Sequence, residues 1–254
     1  TEKVNLVVFK PTLILPCTKD DSDEIRREAS EATIDQYRDY GIKAYTDGSV
    51  VDKLGAGAGE IRSDPNPAFV LANNDPIVIN CAAPGGHLSS SYTAERVALK
   101  ITLETIRDKS AIIKKDKSLF VASDSQSMIS ALGKGPLRQT NALNADLWKI
   151  LLQLVNDKGI TQVVIQYVAA HCGIPGNERA DALANEALQK YNATKMKADF
   201  KKSAIPLGSV KSELKRAIKA EWKNSLNPDK PRYAICCDSY SDLKFSNTLS
   251  RQDE

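Results

Sequence analysis

The chain has 254 residues, 42% hydrophobic and 26% charged, an ordinary globular composition that allows a packed core. Lys and Arg total 35 against 32 Asp and Glu, a formal charge of +3, so the overall balance neither demands nor forbids a nucleic-acid partner. No run approaches the ~20 apolar residues of a membrane span. Five cysteines (Cys17, Cys81, Cys172, Cys236 and Cys237), without zinc or C-x-x-C spacing, read as reduced thiols of an intracellular protein, nuclear or cytoplasmic.

In chain order, residues 1–40 read as a lead-in: short apolar runs around prolines, an acidic stretch, and a helix from about Asp23 to Tyr40. The stretch Val4 to Cys17 is broken by Asn5, Lys10, Pro11 and Pro16 and makes a poor signal peptide. A start at Thr1 fits a piece of a longer protein. Organisation begins at Ile42. Ile42–Thr46 reads as a strand ending at Asp47-Gly48-Ser49, and the Gly-rich run Gly55–Gly59 leads into a second strand around Glu60–Arg62. Pro76–Cys81 is a third strand, Ser91–Lys109 a helix, and Ser118–Ser123 a fourth strand ending at Asp124. Helices follow near Gln126–Leu132 and Asn144–Asp157, then a fifth strand at Gln162–Ala169 and a helix at Asn177–Lys190. This order predicts an α/β domain over residues 41–193, a five-stranded mixed sheet flanked by helices. Residues 194–254 read as a Lys-rich tail in which Val210, Leu214, Ile218 and Trp222 mark an amphipathic helix. Both flanks are expected to be dispensable.

Two aspartates, Asp47 and Asp124, stand at the carboxyl ends of apolar strands, where sites of open α/β sheets gather. Either alone is more often a turn residue. Glu95 lies in line with Leu99, Leu103 and Ile106 on its helix, so it points toward the sheet, and a buried carboxylate needs a partner such as a metal ion. In the segment from Ala170 to Asp181, Gly173, Pro175 and Gly176 form a loop, Asn177 is a candidate N-cap with Pro175 just outside the helix, and Asp181 sits one turn in. His171 stands at the loop base; His87, without such context, reads as a loop residue.

Thr46-Asp47-Gly48-Ser49, Thr93-Ala94-Glu95, Ser123-Asp124-Ser125-Gln126 and His171 with Gly176-Asn177-Glu178-Arg179-Ala180-Asp181 follow one another as in type 1 ribonucleases H, which the chain resembles. The closest likeness is to the ribonuclease H domain of non-LTR retrotransposon polyproteins, and Ser246–Glu254 resembles the start of the segment that follows that domain. Two positions depart from the pattern: Tyr167 stands where a Trp is frequent, and Ala169-Ala170 where Pro with Gly or Ser is usual. No basic protrusion is evident, since residues 133–160 carry only scattered Lys and Arg.

The resemblance implies a ribonuclease H-like fold and hydrolysis of the RNA strand of an RNA–DNA hybrid, leaving 5′-phosphate and 3′-hydroxyl ends. It implies two Mg²⁺ ions, replaceable by Mn²⁺, held by Asp47, Glu95, Asp124 and Asp181 with Asp47 shared between them. His171 would assist proton movement or product release. Substrate contacts are expected around Gly48, Ser49, Ser90, Ser91, Ser125, Gln126, Asn177 and Glu178, and a reverse transcriptase domain of the same polyprotein is a candidate partner. The competing readings are a ribonuclease H-like module that binds hybrids or proteins without cutting, an integrase-like nuclease (which would place Glu last among the acids), and an α/β domain with solvated acids.

Overall fold

The structure, a computed structural model, describes residues 2–63, 77–87, 89–109, 117–192, 210–211 and 214–220. A short 3₁₀ segment, Glu2–Leu6, leads into β1 (Val7–Lys10), then α1 (Asp23–Asp35), β2 (Ile42–Val51), β3 (Leu54–Ser63), β4 (Ile77–His87), α2 (Ser91–Asp108), β5 (Leu119–Ser123), α3 (Gln126–Leu132), α4 (Ala142–Asp157), β6 (Val163–Tyr167) and α5 (Pro175–Asn192).

The six strands form one sheet in the order β1-β6-β5-β2-β3-β4. β2, β3 and β4 pair antiparallel; β2 with β5, β5 with β6, and β6 with β1 pair parallel. The mixed α/β architecture is as expected, with one strand more than the five read from sequence. The extra strand comes from the segment read as lead-in: Val7 pairs with Val163 and Lys10 with Gln166. Four residues cut short by Pro11 carry little local signal, and their partner lies some 150 residues away. α1 is also shorter than expected, ending at Asp35, because Tyr37 turns back to stack on Phe120 at 4.8 Å between ring centroids.

β5 is buried at every position, as a strand covered on both faces must be. One apolar layer joins Ile42, Ala44, Val121 and Ile165 of the sheet to Leu99 and Leu103 of α2 and Leu147 and Leu151 of α4. The other joins Tyr45, Phe120 and Val164 to Ile174 and Ala180 near the start of α5, with Ile34, Tyr37 and Tyr40 packed against it. Val7 belongs to the first layer and Val8 packs against the second, so β1 is built into both sides of the core.

α2 crosses the sheet at close range because β2 and β3 present glycines to it. A Cβ on Gly48 would overlap the backbone of Ala94 and Glu95, and one on Gly57 the backbone of Ala98. The carboxylate carried by α2 is thereby brought down onto the strands.

Cys17, Cys81 and Cys172 are free thiols. No helix among the described residues is long and apolar enough to cross a membrane. Leu207–Glu254 forms a second compact unit, in which 210–211 and 214–220 are helical and Val210, Leu214 and Ile218 are exposed. Trp222, the Lys-rich stretch 195–202, Cys236, Cys237 and Ser246–Glu254 lie outside the described residues.

Candidate active site

Strand register creates the site. The parallel pairing of β2 with β5 ends at Thr46 opposite Ser123, so the next residue on each strand, Asp47 and Asp124, emerges side by side at the carboxyl edge. β2 itself does not stop at Asp47, contrary to the sequence reading. It runs on to Val51, paired with β3 through a tight hairpin whose central residues Asp52 and Lys53 have φ of +48° and +68°. Asp47 is therefore held rigidly within a strand rather than on a turn.

Glu95 arrives from the second turn of α2. Ser90 caps that helix, its hydroxyl accepting the Thr93 N–H at 3.2 Å. Leu99, Leu103 and Ile106 are buried with Glu95, as their shared stripe predicts. One carboxylate oxygen from each of Asp47, Glu95 and Asp124 can lie within 4.8 Å of the others. The Gly48 N–H donates to both acids of β2 and α2, at 2.6 Å to Asp47 Oδ1 and 3.1 Å to Glu95 Oε1. Their second oxygens, Asp47 Oδ2 and Glu95 Oε2, are buried without a hydrogen-bond partner.

Burial and mutual repulsion hold the acids toward their protonated forms. Burial, reinforced by the charges of Asp124 and Asp181, pushes Asp47 up to about 7. Burial also holds Glu95 well above the ordinary carboxylate range, with Asp124 and Asp47 adding to the shift. Asp124 is raised by burial, partly offset by nearby His171. Three desolvated acids with two orphaned oxygens have the donor chemistry that a hard divalent cation takes: oxygen ligands and excess negative charge.

Asp181 lies outside the tight trio, half-buried on α5 and close enough for its charge to raise Asp47 and Asp124. Its Oδ1 accepts from Asn185 Nδ2 at 3.0 Å, and Asn185 Oδ1 accepts the Ser49 hydroxyl at 2.6 Å. Asn185 was not singled out from sequence. Its signal was the i+4 spacing from Asp181 on one helix face.

His171 is exposed on the turn before α5, in a left-handed conformation with φ of +47°, followed by Gly173 at +88°. Asn177 is not the helix cap. α5 begins at Pro175, the first-turn position proline favours, which leaves Asn177 inside the first turn, buried, with Oδ1 unpartnered. Glu178 accepts the Gly173 N–H at 3.2 Å and so ties the His171 loop to the helix. Among the other expected substrate contacts, Ser91, Ser125 and Gln126 line a cleft beside Glu95 and Asp124, whereas Ser90 is engaged in capping. His87 closes β4 opposite Leu54 and is not a loop residue.

The family model described as RNase H matches residues 40–189. The chain belongs to the RNase H family. Among curated relatives, ribonuclease H of Syntrophus aciditrophicus (strain SB) is 30% identical over 173 residues, covering 61% of this chain and 83% of the relative. Ribonuclease H of Polaromonas sp. (strain JS666) is 26% identical over 150 residues, 59% of this chain and 89% of the relative. Among solved structures, RNase H1 from the halophilic archaeon Halobacterium salinarum NRC-1 matches with 26% identity and a TM-score of 0.40, over 59% of this chain and 98% of that one. LC11-RNase H1 in complex with RNA/DNA hybrid matches with 19% identity and a TM-score of 0.44, over 60% of this chain and 99% of that one. In this member of the family the four acids lie on β2 (Asp47), α2 (Glu95), just past β5 (Asp124) and α5 (Asp181).

Proposed function

We propose that the protein is an endoribonuclease that hydrolyses the RNA strand of RNA–DNA hybrids, using two divalent cations held by Asp47, Glu95, Asp124 and Asp181. The observation that carries this reading is the convergence of Asp47, Glu95 and Asp124 with two buried, unpartnered carboxylate oxygens. Mg²⁺ is the expected ion, with Mn²⁺ able to substitute. When bound, such ions supply a Lewis acid that acidifies water and stabilises charge on the departing 3′ oxygen.

The protein's own groups prepare the site. Gly48 N–H fixes one oxygen of each of Asp47 and Glu95, and rigid β2 and α2 hold the remaining oxygens in place. Ser49 holds Asn185, and Asn185 in turn orients Asp181, through a chain of two hydrogen bonds. His171, on an exposed turn, can approach a reacting phosphate, take or deliver a proton, and withdraw. RNA is distinguished from DNA by its 2′-hydroxyl, for which Gln126, Ser125 and Ser91 are the reading groups at the cleft. Phosphate contacts give little sequence preference and strong salt sensitivity. Cleavage leaves a 5′-phosphate and a 3′-hydroxyl.

We further propose, from the likeness of its motifs to those of non-LTR retrotransposon polyproteins, that the nuclease works beside a reverse transcriptase domain of the same polyprotein, in the nucleus or cytoplasm. The substrate proposal is tested with labelled RNA–DNA hybrid, double-stranded RNA and single-stranded RNA, each with Mg²⁺ and with EDTA. Mg²⁺-dependent cutting of the hybrid alone supports it. Well-folded protein that binds the hybrid and never cuts it would instead make this a binding module.

A further inference from the structure

We propose that Lys19 is a substrate-positioning residue that takes a backbone phosphate of the strand being cut, on a groove wall built by the N-terminal segment. The proposal rests on the hybrid-nuclease reading and adds a contact outside residues 40–189, the span matched by the family model.

A cleft of about 340 Å³ opens beside the carboxylates, and Lys19 lines it together with Ser91, Glu95, Asp124, Gln126 and Tyr167. Two of the three clustered acids thus line the same cleft as Lys19. Lys19 is the one cation among the cleft's lining residues. It is exposed and forms no ion pair or side-chain hydrogen bond among the described residues. Of the acids beside it in sequence, Asp21 is already engaged, accepting the Thr18 N–H at 2.6 Å and the Thr18 hydroxyl at 3.0 Å. A free ammonium with three donors, next to two carboxylates that repel a polyanion, suits a phosphate oxygen and little else in such a cleft.

The segment that carries Lys19 is anchored. Gln126 Nε2 donates to the Pro11 carbonyl at 2.7 Å, Gln166 Nε2 to the Thr12 carbonyl at 2.8 Å, and the Ile14 N–H to Thr33 Oγ1 at 3.1 Å. Beyond the Thr18–Asp21 turn, Ser22 caps α1. Lys19 is therefore presented from a strap tied to α3, β6 and α1. The strap also sets Gln126: a carbonyl can only accept, so the amide nitrogen faces Pro11 and Oε1 is left to accept from a ligand, as a 2′-hydroxyl requires. Lys19 and Gln126 so address two features of one ribonucleotide strand, its phosphate and its sugar.

The test is the salt dependence of hybrid binding, read by anisotropy of a labelled RNA–DNA hybrid in EDTA, for the full chain and for Lys19→Ala, Lys19→Arg and Lys158→Ala. Lys158 follows α4 and precedes β6, at the opposite edge of the sheet from the acids. Removing one phosphate contact should flatten the plot of log affinity against log salt by about 0.9. Lys19→Ala is expected to show that change, with Lys19→Arg and Lys158→Ala keeping the slope of the unmodified protein. If the unmodified protein binds the hybrid and Lys19→Ala has the same slope, the Lys19 contact is overturned and the nuclease reading stands. If the unmodified protein neither binds the hybrid in EDTA nor cuts it with Mg²⁺, the nuclease reading is overturned, and the Lys19 contact with it.

Discussion

The hydroxyl of Ser30 on α1 accepts the backbone N–H of Ala169, two residues before His171, at 3.0 Å. One turn earlier on the same helix, Arg26 Nη1 donates to the Ala170 carbonyl at 3.2 Å. The N-terminal segment therefore holds the root of the His171 loop in addition to extending the sheet through β1. Ser30 is fully buried, so Ser30→Ala leaves the Ala169 N–H without an acceptor and should cost about 1–3 kcal/mol. Removing residues 1–40 uncovers the β6 edge and the Phe120 face under Tyr37, and should give insoluble or strongly destabilised protein. Thermal melts of the two variants check this; a trimmed protein that melts like the full chain contradicts it.

Elements that carry their own pattern were legible in the sequence: the apolar runs ending at Asp47 and Asp124, the stripe from Glu95 to Ile106, and α3, matched residue for residue. What depends on distant partners was not. The VVFK of β1 becomes a strand only because β6 offers an edge, and Ser30 or Arg26 gain meaning only against a loop about 140 residues away. Asn177 was misread because it has the chemistry of a cap, while Pro175, two residues earlier, was the stronger start signal. The run of β2 past Asp47 was hidden by a hairpin whose turn, Asp52-Lys53, lacks the glycine that usually advertises it.

Gly57 lets α2 lie against β3, and a methyl group there would meet the backbone of Ala98 and the carbonyl of Ala94. Gly57→Ala should destabilise the fold by roughly 1–3 kcal/mol, the usual cost of overpacking. Because α2 carries Glu95, the same variant should also weaken Mg²⁺ binding. Denaturant melts and a Mg²⁺ titration of melting temperature read the two effects separately, and unchanged values in both would contradict the packing described.

Stability without metal should fall as pH rises. Burial and the neighbouring charges push the folded-state carboxyl of Asp47 up to about 7, from the ordinary aspartate value of 3.8. Between those values the folded state holds a proton that the unfolded chain has released, so ΔG of unfolding declines across this window and levels off above it. Glu95 and Asp124, also raised, add in the same direction. In EDTA the melting temperature should therefore be lower near pH 8 than near pH 5; Asp47→Asn should flatten the dependence, and Mg²⁺ should restore stability at the higher pH. A melting temperature that rises with pH in EDTA would contradict the account.

His171→Ala should slow turnover without abolishing it. General acid–base assistance is worth typically ~10²–10⁴-fold, and the low end or less is expected where a metal already activates water. If His171 acts in product release, only the steady-state rate falls; if it moves a proton in the chemical step, the single-turnover rate falls with it. A variant with no residual cleavage would mean that His171 is an obligatory base or a metal ligand, and the role given to it here would be wrong.

The central claim, that Asp47 and its neighbouring acids hold the cations that cut RNA in a hybrid, is tested most directly by pairing cleavage with binding for Asp47→Asn. The substitution keeps the side chain's shape and removes the charge. Single-turnover cleavage of end-labelled RNA–DNA hybrid with Mg²⁺, beside hybrid binding of the same preparations in EDTA, should show loss of cleavage with binding largely intact. An Asp47→Asn protein that cuts the hybrid at the rate of the unmodified chain would contradict the account.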